Sequence, residues 1–399
     1  MLRLPDTLTP DAFLAAYWQK QALFMPHALP SGLPSLSPDE IAWLATLDDV
    51  ESRLVLTDRA GRETRYRVEH GPFSDETLGA LPERDWTLLV QDVEKHLPDF
   101  RLWFTAVPFI PDWRIDDLMV SCAAPGGSVG PHQDNYDVFL CQGSGNREWR
   151  LAPAGSAEAP GQAGELSLVN PFDDPEAQTA GPGDVLYLPP GIPHWGIASD
   201  LCVTWSIGMR APSLDEMRCG IEREAAGSVR GNPIASFYSD PDLTSAEAVP
   251  GCISERAVAR ARQWLGEDNQ LDEPDLTLAL GAVVTDPKAW LAPERADDDA
   301  IAQFLEKREQ APDLHIHGMA QIAYSDAGGG WVFANGHGRR AGAGERAVVR
   351  TLCSARCVDA VLLQELWAYR PLLTWLFECG ALLSPDAGTA GDGQCQVYE

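Results

Sequence analysis

The sequence predicts an α+β protein: a small antiparallel β-barrel in the first half of the chain, then a mainly helical second half. Three observations predict it. First, Met119 to Leu140 reads MVSCAAPGGSVGPHQDNYDVFL, two β-prone apolar stretches on either side of the turn run PGGSVGP. Second, Gly183 to Arg210 reads GDVLYLPPGIPHWGIASDLCVTWSIGMR. Here Val185–Leu188 and Leu201–Met209 suit buried strands, and Pro189, Pro190, Gly191 and Pro193 force a tight turn, since proline fixes φ and lacks a donor. Third, from Ser213 the spacing changes to a helical one, with Leu214, Met217 and Ile221 on one face.

The elements follow in order. Pro10 to Trp18 predicts an amphipathic helix, with Phe13, Leu14, Tyr17 and Trp18 at helical spacing; Trp18 is expected in the core. Ser37-Pro-Asp-Glu40 predicts a second helix, opened by a capping box with proline in its first turn. Residues 116 to 212 are expected to hold the barrel. Between its halves Ala152 to Ala180, rich in Gly, Pro, Ala and acids, predicts a long loop with one short strand at Leu166–Val169. Beyond the barrel, helices are expected over Leu214–Ile221, Ala257–Leu265 and Ala300–Arg308, and one or two around Pro371 in Val358–Leu383. Short β segments are expected at Leu314–Gly318 and Gly330–His337, the latter with an Asn-Gly turn. The tail from Pro385, rich in Gly, Asp and Ala, predicts no packed structure.

His132-Gln133-Asp134 and the later His194 carry the chemistry. On a strand, residues two apart share a face, so His132 and Asp134 are expected to point the same way. Two imidazoles and one carboxylate suit a ferrous ion and leave coordination positions open. Taken alone, an H-x-D triplet is commonplace; the glycine turn before it and the PPGIPH turn before His194 give it weight. Tyr136 is expected on the same strand face, as either a pocket residue or a packed barrel aromatic. Ser121, Thr204 and Ser206 lie on strands expected near the ion. Arg147 and Arg150, three apart, are expected on opposite faces of one strand. Cys353 and Cys357 have no partner pair, and His315 and His317 alternate on one strand; ordinary structural roles are the simpler reading of all four.

These residues resemble the JmjC-type branch of the 2-oxoglutarate oxygenases. PGGSVGPHQDNYDVFLCQGSGNREWRL, with FLAAYWQKQALF (Phe13–Phe24) and DVESRLV (Asp49–Val55), is similar to the bacterial ribosomal oxygenases, densely over residues 1–212 and more loosely beyond. The resemblance implies a cupin-like double-stranded β-helix (JmjC) barrel over 1–212, a helical dimerisation segment over 213–275 and a winged-helix-like C-terminal domain over 276–399. It implies Fe(II) on His132, Asp134 and His194, and 2-oxoglutarate as cosubstrate with Arg147 on its far carboxylate. A guanidinium grips a carboxylate bidentately and keeps its charge. Ser121, Tyr136, Thr204 and Ser206 become candidate cosubstrate contacts. The implied reaction couples O2 and oxidative decarboxylation of 2-oxoglutarate to hydroxylation of an arginine β-carbon in protein sixteen of the large ribosomal subunit. Histidine hydroxylation, methyl-lysine demethylation and a non-catalytic cupin binding module stay open beside it; related histidine hydroxylases use lysine for the far carboxylate, so Arg147 favours the bacterial type. Trp195 departs from the family, where the position after the distal histidine is often polar.

Composition sets outer bounds. The 399 residues carry 30 Lys and Arg against 59 Asp and Glu, a net charge of −29. Such a field disfavours direct nucleic-acid binding and attracts basic partners; solubility alone also explains it. Nine scattered cysteines predict reduced thiols in a cytoplasmic protein. No apolar run approaches the ~18–20 residues of a membrane span, and the N-terminus predicts no secretory signal.

Overall fold

The computed structural model describes the chain except residues 6, 61–62, 156–167, 175, 225–236, 267–270, 294–298, 300, 303–313, 356, 359–365 and 384–399. Two compact units are formed: one from Met1–Ile110, Ile115–Ala211 and Pro241–Ser245, the other from Pro111–Arg114, Pro212–Asp240 and Ala246–Glu399. Residues expected as a separate helical segment and a C-terminal domain thus share the second unit, and each unit borrows a short piece from within the other's span. Arg114 explains one such exchange. It is fully buried and its Nε and Nη2 donate to Asp240 at 3.0 and 3.1 Å, a pairing 126 residues apart that fixes Pro111–Arg114 in the second unit.

In the first unit the elements are α1 (Pro10–Ala16), β1 (Leu23–Met25), α2 (Pro38–Leu44), β2 (Ser52–Ala60), β3 (Glu63–His70), α3 (Asp75–Gly79), β4 (Trp86–Val90), α4 (Val93–His96), β5 (Ile115–Ala123), β6 (Val138–Ser144), β7 (Arg147–Leu151), β8 (Gln178–Ala180), β9 (Val185–Leu188), β10 (His194–Ala198) and β11 (Cys202–Met209). An eight-stranded antiparallel sheet runs β1-β9-β6-β11-β5-β4-β2-β3, and a three-stranded sheet runs β10-β7-β8. The central strand β11 is buried on both faces. Its Val203, Trp205, Ile207 and Met209 join the main core with Phe13, Phe100 and Trp103, and Trp103 stacks on Trp205 at 5.0 Å. The opposite face offers Cys202, Thr204, Ser206 and Gly208, in register with Ala123, Ser121, Met119 and Asp117 of β5. That face therefore carries mostly small side chains, four of them polar (Thr204, Ser206, Ser121 and Asp117).

The two helices expected near the N-terminus form, at Pro10–Ala16 and Pro38–Leu44. Trp18 is fully buried. At α2 the Ser37 hydroxyl accepts from Glu40 N–H while the Glu40 carboxylate accepts from Ser37 N–H, the anticipated capping box. Ser37→Ala is expected to cost about 1 kcal/mol, read as a lower denaturant midpoint with unchanged slope. Two expectations fail. Gln178–Ala180, expected within a loop, pairs as β8 with Arg147–Trp149; its polar residues carry no apolar alternation. Residues 133–137 are not strand, and β6 begins only at Val138. Of the strand expected at 166–169, residues 166–167 lie outside the described set, while Leu168 makes an isolated bridge to His132.

The second unit contains α5 (Leu214–Glu224), α6 (Glu255–Leu265), α7 (Glu273–Thr285), β12 (Leu314–His315), β13 (Ile322–Ser325), β14 (Trp331–Ala334), β15 (His337–Arg340), α8 (Ala343–Ala355), β16 (Cys357–Val358) and α9 (Arg370–Glu378). Met217 and Ile221 of α5 pack with Ala257 and Ala261 of α6 and Leu276 and Leu280 of α7, so that apolar face is covered by its own chain. β13-β14-β15 form an antiparallel meander. Asn335 and Gly336, at φ 46 and 80, make the expected tight turn. The helix anticipated at 300–308 falls almost wholly outside the described residues, as does the tail. His317 Nδ1 accepts from Met319 N–H. Among the described residues, no helix is long and apolar enough to cross a membrane.

Candidate metal centre

Two turn-rich segments bring the site together. Residues Pro125–Pro131 follow β5, with Gly126 and Gly130 at φ 81 and 87, a left-handed backbone open mainly to glycine. The chain then meets β10: His132 N–H donates to His194 O at 3.0 Å, and His194 N–H to His132 O at 2.8 Å. This two-bond bridge sets the imidazoles side by side, ring centroids 4.1 Å apart.

Each ring is oriented by a carbonyl two residues earlier. His132 Nδ1 lies 3.0 Å from Gly130 O and His194 Nδ1 3.0 Å from Ile192 O. A carbonyl only accepts, so each Nδ1 carries the proton and each Nε2 presents a lone pair. Both Nε2 atoms face Asp134, at 3.9 Å from Oδ1 and 3.7 Å from Oδ2. One ligand atom from each residue lies within 4.8 Å of the others, as a metal-binding group requires. Burial, then the neighbouring His132, pulls the His194 pKa down to about 4. The imidazole is therefore neutral, the form that ligates, at ordinary pH. Two nitrogens and one carboxylate fit a divalent iron with open positions.

Arg147 lies on β7, paired with Ala198 of β10, the strand that carries His194. The arginine is 5 % exposed, its Nε has no hydrogen-bond partner and its Nη2 lies 3.7 Å from Cys202 Sγ. The guanidinium sits 5.8 Å from the centre of the Trp149 ring. A buried cation without a carboxylate is costly, and a small dicarboxylate entering the barrel would satisfy it. Arg150, on the opposite face of β7, instead donates to Glu148 and covers the Trp195 ring at 5.1 Å.

The other candidates divide. Ser121, Thr204 and Ser206 are all buried on the inner faces of β5 and β11. Thr204 Oγ1, however, donates to Gln142 Oε1 at 3.0 Å, and Ser121 Oγ to Thr204 O at 3.4 Å, so both hydroxyls already have acceptors within the fold. Tyr136 is not on a strand face beside the ligands but in the connection after Asp134, 41 % exposed at the mouth. Asp134, burial, Asp117 and Asp116 all push its phenol pKa upward. Sequence reasoning missed Asp117. It is 8 % exposed on the inner face of β5, opposite Gly208, where even a methyl group would lie 2.7 Å from its carboxylate. The signal was available: Asp116-Asp117 interrupts an otherwise apolar strand.

The fold and donor set define a JmjC-type barrel with a facial metal triad. The JmjC domain profile matches residues 103–217. Over 269 residues the chain is 40% identical to the ribosomal protein uL16 3-hydroxylase of Escherichia coli K12, covering 65% of this chain and 67% of that protein. It is 33% identical over 316 residues to a probable ribosomal oxygenase of Haemophilus influenzae, 76% of each. The X-ray structure of E. coli ycfD superposes with a TM-score of 0.70 at 28% identity, covering 96% of this chain and 99% of that one. Another of YcfD, in complex with cobalt and 2-oxoglutarate, gives 0.67 at 29% identity with the same coverage. The chain belongs to the JmjC-domain ribosomal oxygenase family.

Proposed function

We propose that this chain is an Fe(II)- and 2-oxoglutarate-dependent protein hydroxylase acting on the β-carbon of an arginine in large-subunit ribosomal protein uL16. The observation that carries the reading is the pairing of the His132–Asp134–His194 group with a buried, carboxylate-free Arg147 in one barrel. The bound iron would supply oxygen activation coupled to cosubstrate decarboxylation. This chain's residues do the rest. His132, Asp134 and His194 would hold the ion, Arg147 would fix the far carboxylate of 2-oxoglutarate, and the barrel walls limit water. Thr204 would act through Gln142, and Ser121 and Ser206 would line the cavity.

The acids at the mouth support a cationic substrate side chain. Asp116 and Asp117 both act on Tyr136 beside Asp134, and a guanidinium entering there gains charge-assisted hydrogen bonds. Asp117→Asn is expected to weaken peptide binding about tenfold while leaving the 2-oxoglutarate requirement unchanged, read from peptide and cosubstrate titrations of the same preparation. Equal loss in both titrations would remove Asp117 from the substrate pocket.

The decisive test incubates the protein with Fe(II), 2-oxoglutarate, O2 and uL16 from cells lacking the activity. The expected product is one added oxygen on one arginine, with one succinate per turnover. Formaldehyde release would point to demethylation, and oxygen on histidine would move the substrate class. The reading places the protein in the cytoplasm with its ribosomal partner. A homodimer also belongs to it, but must use surface other than the α5 face buried against α6 and α7.

A further inference from the structure

The segment that delivers His132 is poor in side chains able to hold it. Gly126, Gly127 and Gly130 fall within six residues of His132, and neither the segment nor its approach to β10 is a continuous ladder. Backbone bonds tie its ends: Gly126 N–H to Ala198 O at 2.8 Å, Ala198 N–H to Gly127 O at 3.0 Å, and the His132–His194 bridge. Arg59 Nη2 donates to Gly126 O at 3.0 Å, and within the segment the Ser128 side chain makes two further bonds. Ser128, 1 % exposed, accepts at Oγ from Trp195 Nε1 at 3.1 Å and from Gly130 N–H at 3.0 Å. Its carbonyl accepts from Thr57 Oγ1 at 3.4 Å.

Trp195 follows His194 directly and points to the opposite face of β10. Arg150 covers its ring and Phe172 meets it edge-on at 6.5 Å. Tyr66 of β3 packs beside the same turn. Its ring leaves no room for a side chain at Gly130, where a Cβ would stand 2.9 Å from Tyr66 Cε2 and 2.7 Å from Leu168 Cδ2. Strand β10 and the histidine-bearing turn therefore meet at one hydroxyl, and β2 bonds the carbonyl of the same residue.

We infer that Trp195 and Ser128 form a hydrogen-bonded brace on the outer side of the barrel that fixes the separation of His132 and His194, making Trp195 a positioning residue for the metal. The inference rests on the triad being a metal centre. The arrangement differs from an ordinary packing contact because its two ends sit next to the two imidazoles: Trp195 is adjacent to His194, and Ser128 is joined through Gly130 to the carbonyl that orients His132. Partners behind the ligands commonly tune metal affinity by 10–100-fold.

The test titrates the full-length, metal-free protein with Co(II), followed by its visible absorption, alongside thermal melting of the metal-free form. Trp195→Phe keeps the ring and removes the donor; Ser128→Ala removes the acceptor. Each is expected to weaken Co(II) about tenfold and to shift the visible bands, with melting of the metal-free protein nearly unchanged. The double variant is expected to be no weaker than Ser128→Ala alone, because that substitution already removes the bond that Trp195→Phe removes. Ile197→Ala, on the same outer face of β10, is the packing control and is expected to bind Co(II) as the parent does. Parent-like affinity and spectrum in Trp195→Phe, or multiplying losses in the double variant, would overturn the brace. A parent protein that binds no Co(II) would overturn the metal centre itself, and is distinguished by its own titration.

Discussion

His132→Ala is expected to abolish hydroxylation and Co(II) binding together while leaving the fold in place. The side chain is one of three donors, and the remaining pair, Asp134 and His194, closes no facial set. The backbone bonds between positions 132 and 194 do not depend on the imidazole, so the bridge survives the substitution. The measurement is a cobalt titration combined with the mass of the product peptide. A variant that still adds oxygen at near the parent rate would take His132 out of the centre.

Arg147→Ala is expected to raise the 2-oxoglutarate requirement by about 30- to 900-fold with a smaller effect on turnover at saturation. The lost interaction is a buried, charge-assisted and bidentate one, on the order of 2–4 kcal/mol. Arg147→Lys recovers only part of it, because an ammonium cannot offer two parallel donors. The folded protein should melt no lower than the parent, since among the described residues no carboxylate pairs with the guanidinium and its removal relieves a desolvated charge. An unchanged cosubstrate dependence would assign Arg147 a packing role against Trp149 and Cys202.

Much of this site was legible in the sequence because its signals were local. Strand parity separated Arg147 from Arg150, and the structure puts one against Cys202 and the other over Trp195. The turn residues before each histidine marked where the chain bends. Parity failed at Tyr136 because the chain leaves strand geometry between His132 and Val138, and periodicity carries no information there. Thr204 was on the right face, but its hydroxyl is taken by Gln142, 62 residues away. The brace was equally hidden, since Trp195 and Ser128 are 67 residues apart. At the level of domains, the exchange of Pro111–Arg114 and Pro241–Ser245 between units depends on tertiary pairs such as Arg114–Asp240, which no linear pattern announces.

The two carbonyls behind His132 and His194 have a consequence for metal choice. Because Gly130 O and Ile192 O already fix each ring's tautomer and tilt, the donors stand ready before any ion arrives. A seat prepared in advance pays little reorganisation on loading and would not by itself single out iron from other divalent ions of comparable size. Occupancy then follows the supply of divalent ions and their intrinsic order of affinity, and iron prevails where the cell keeps its rivals scarce.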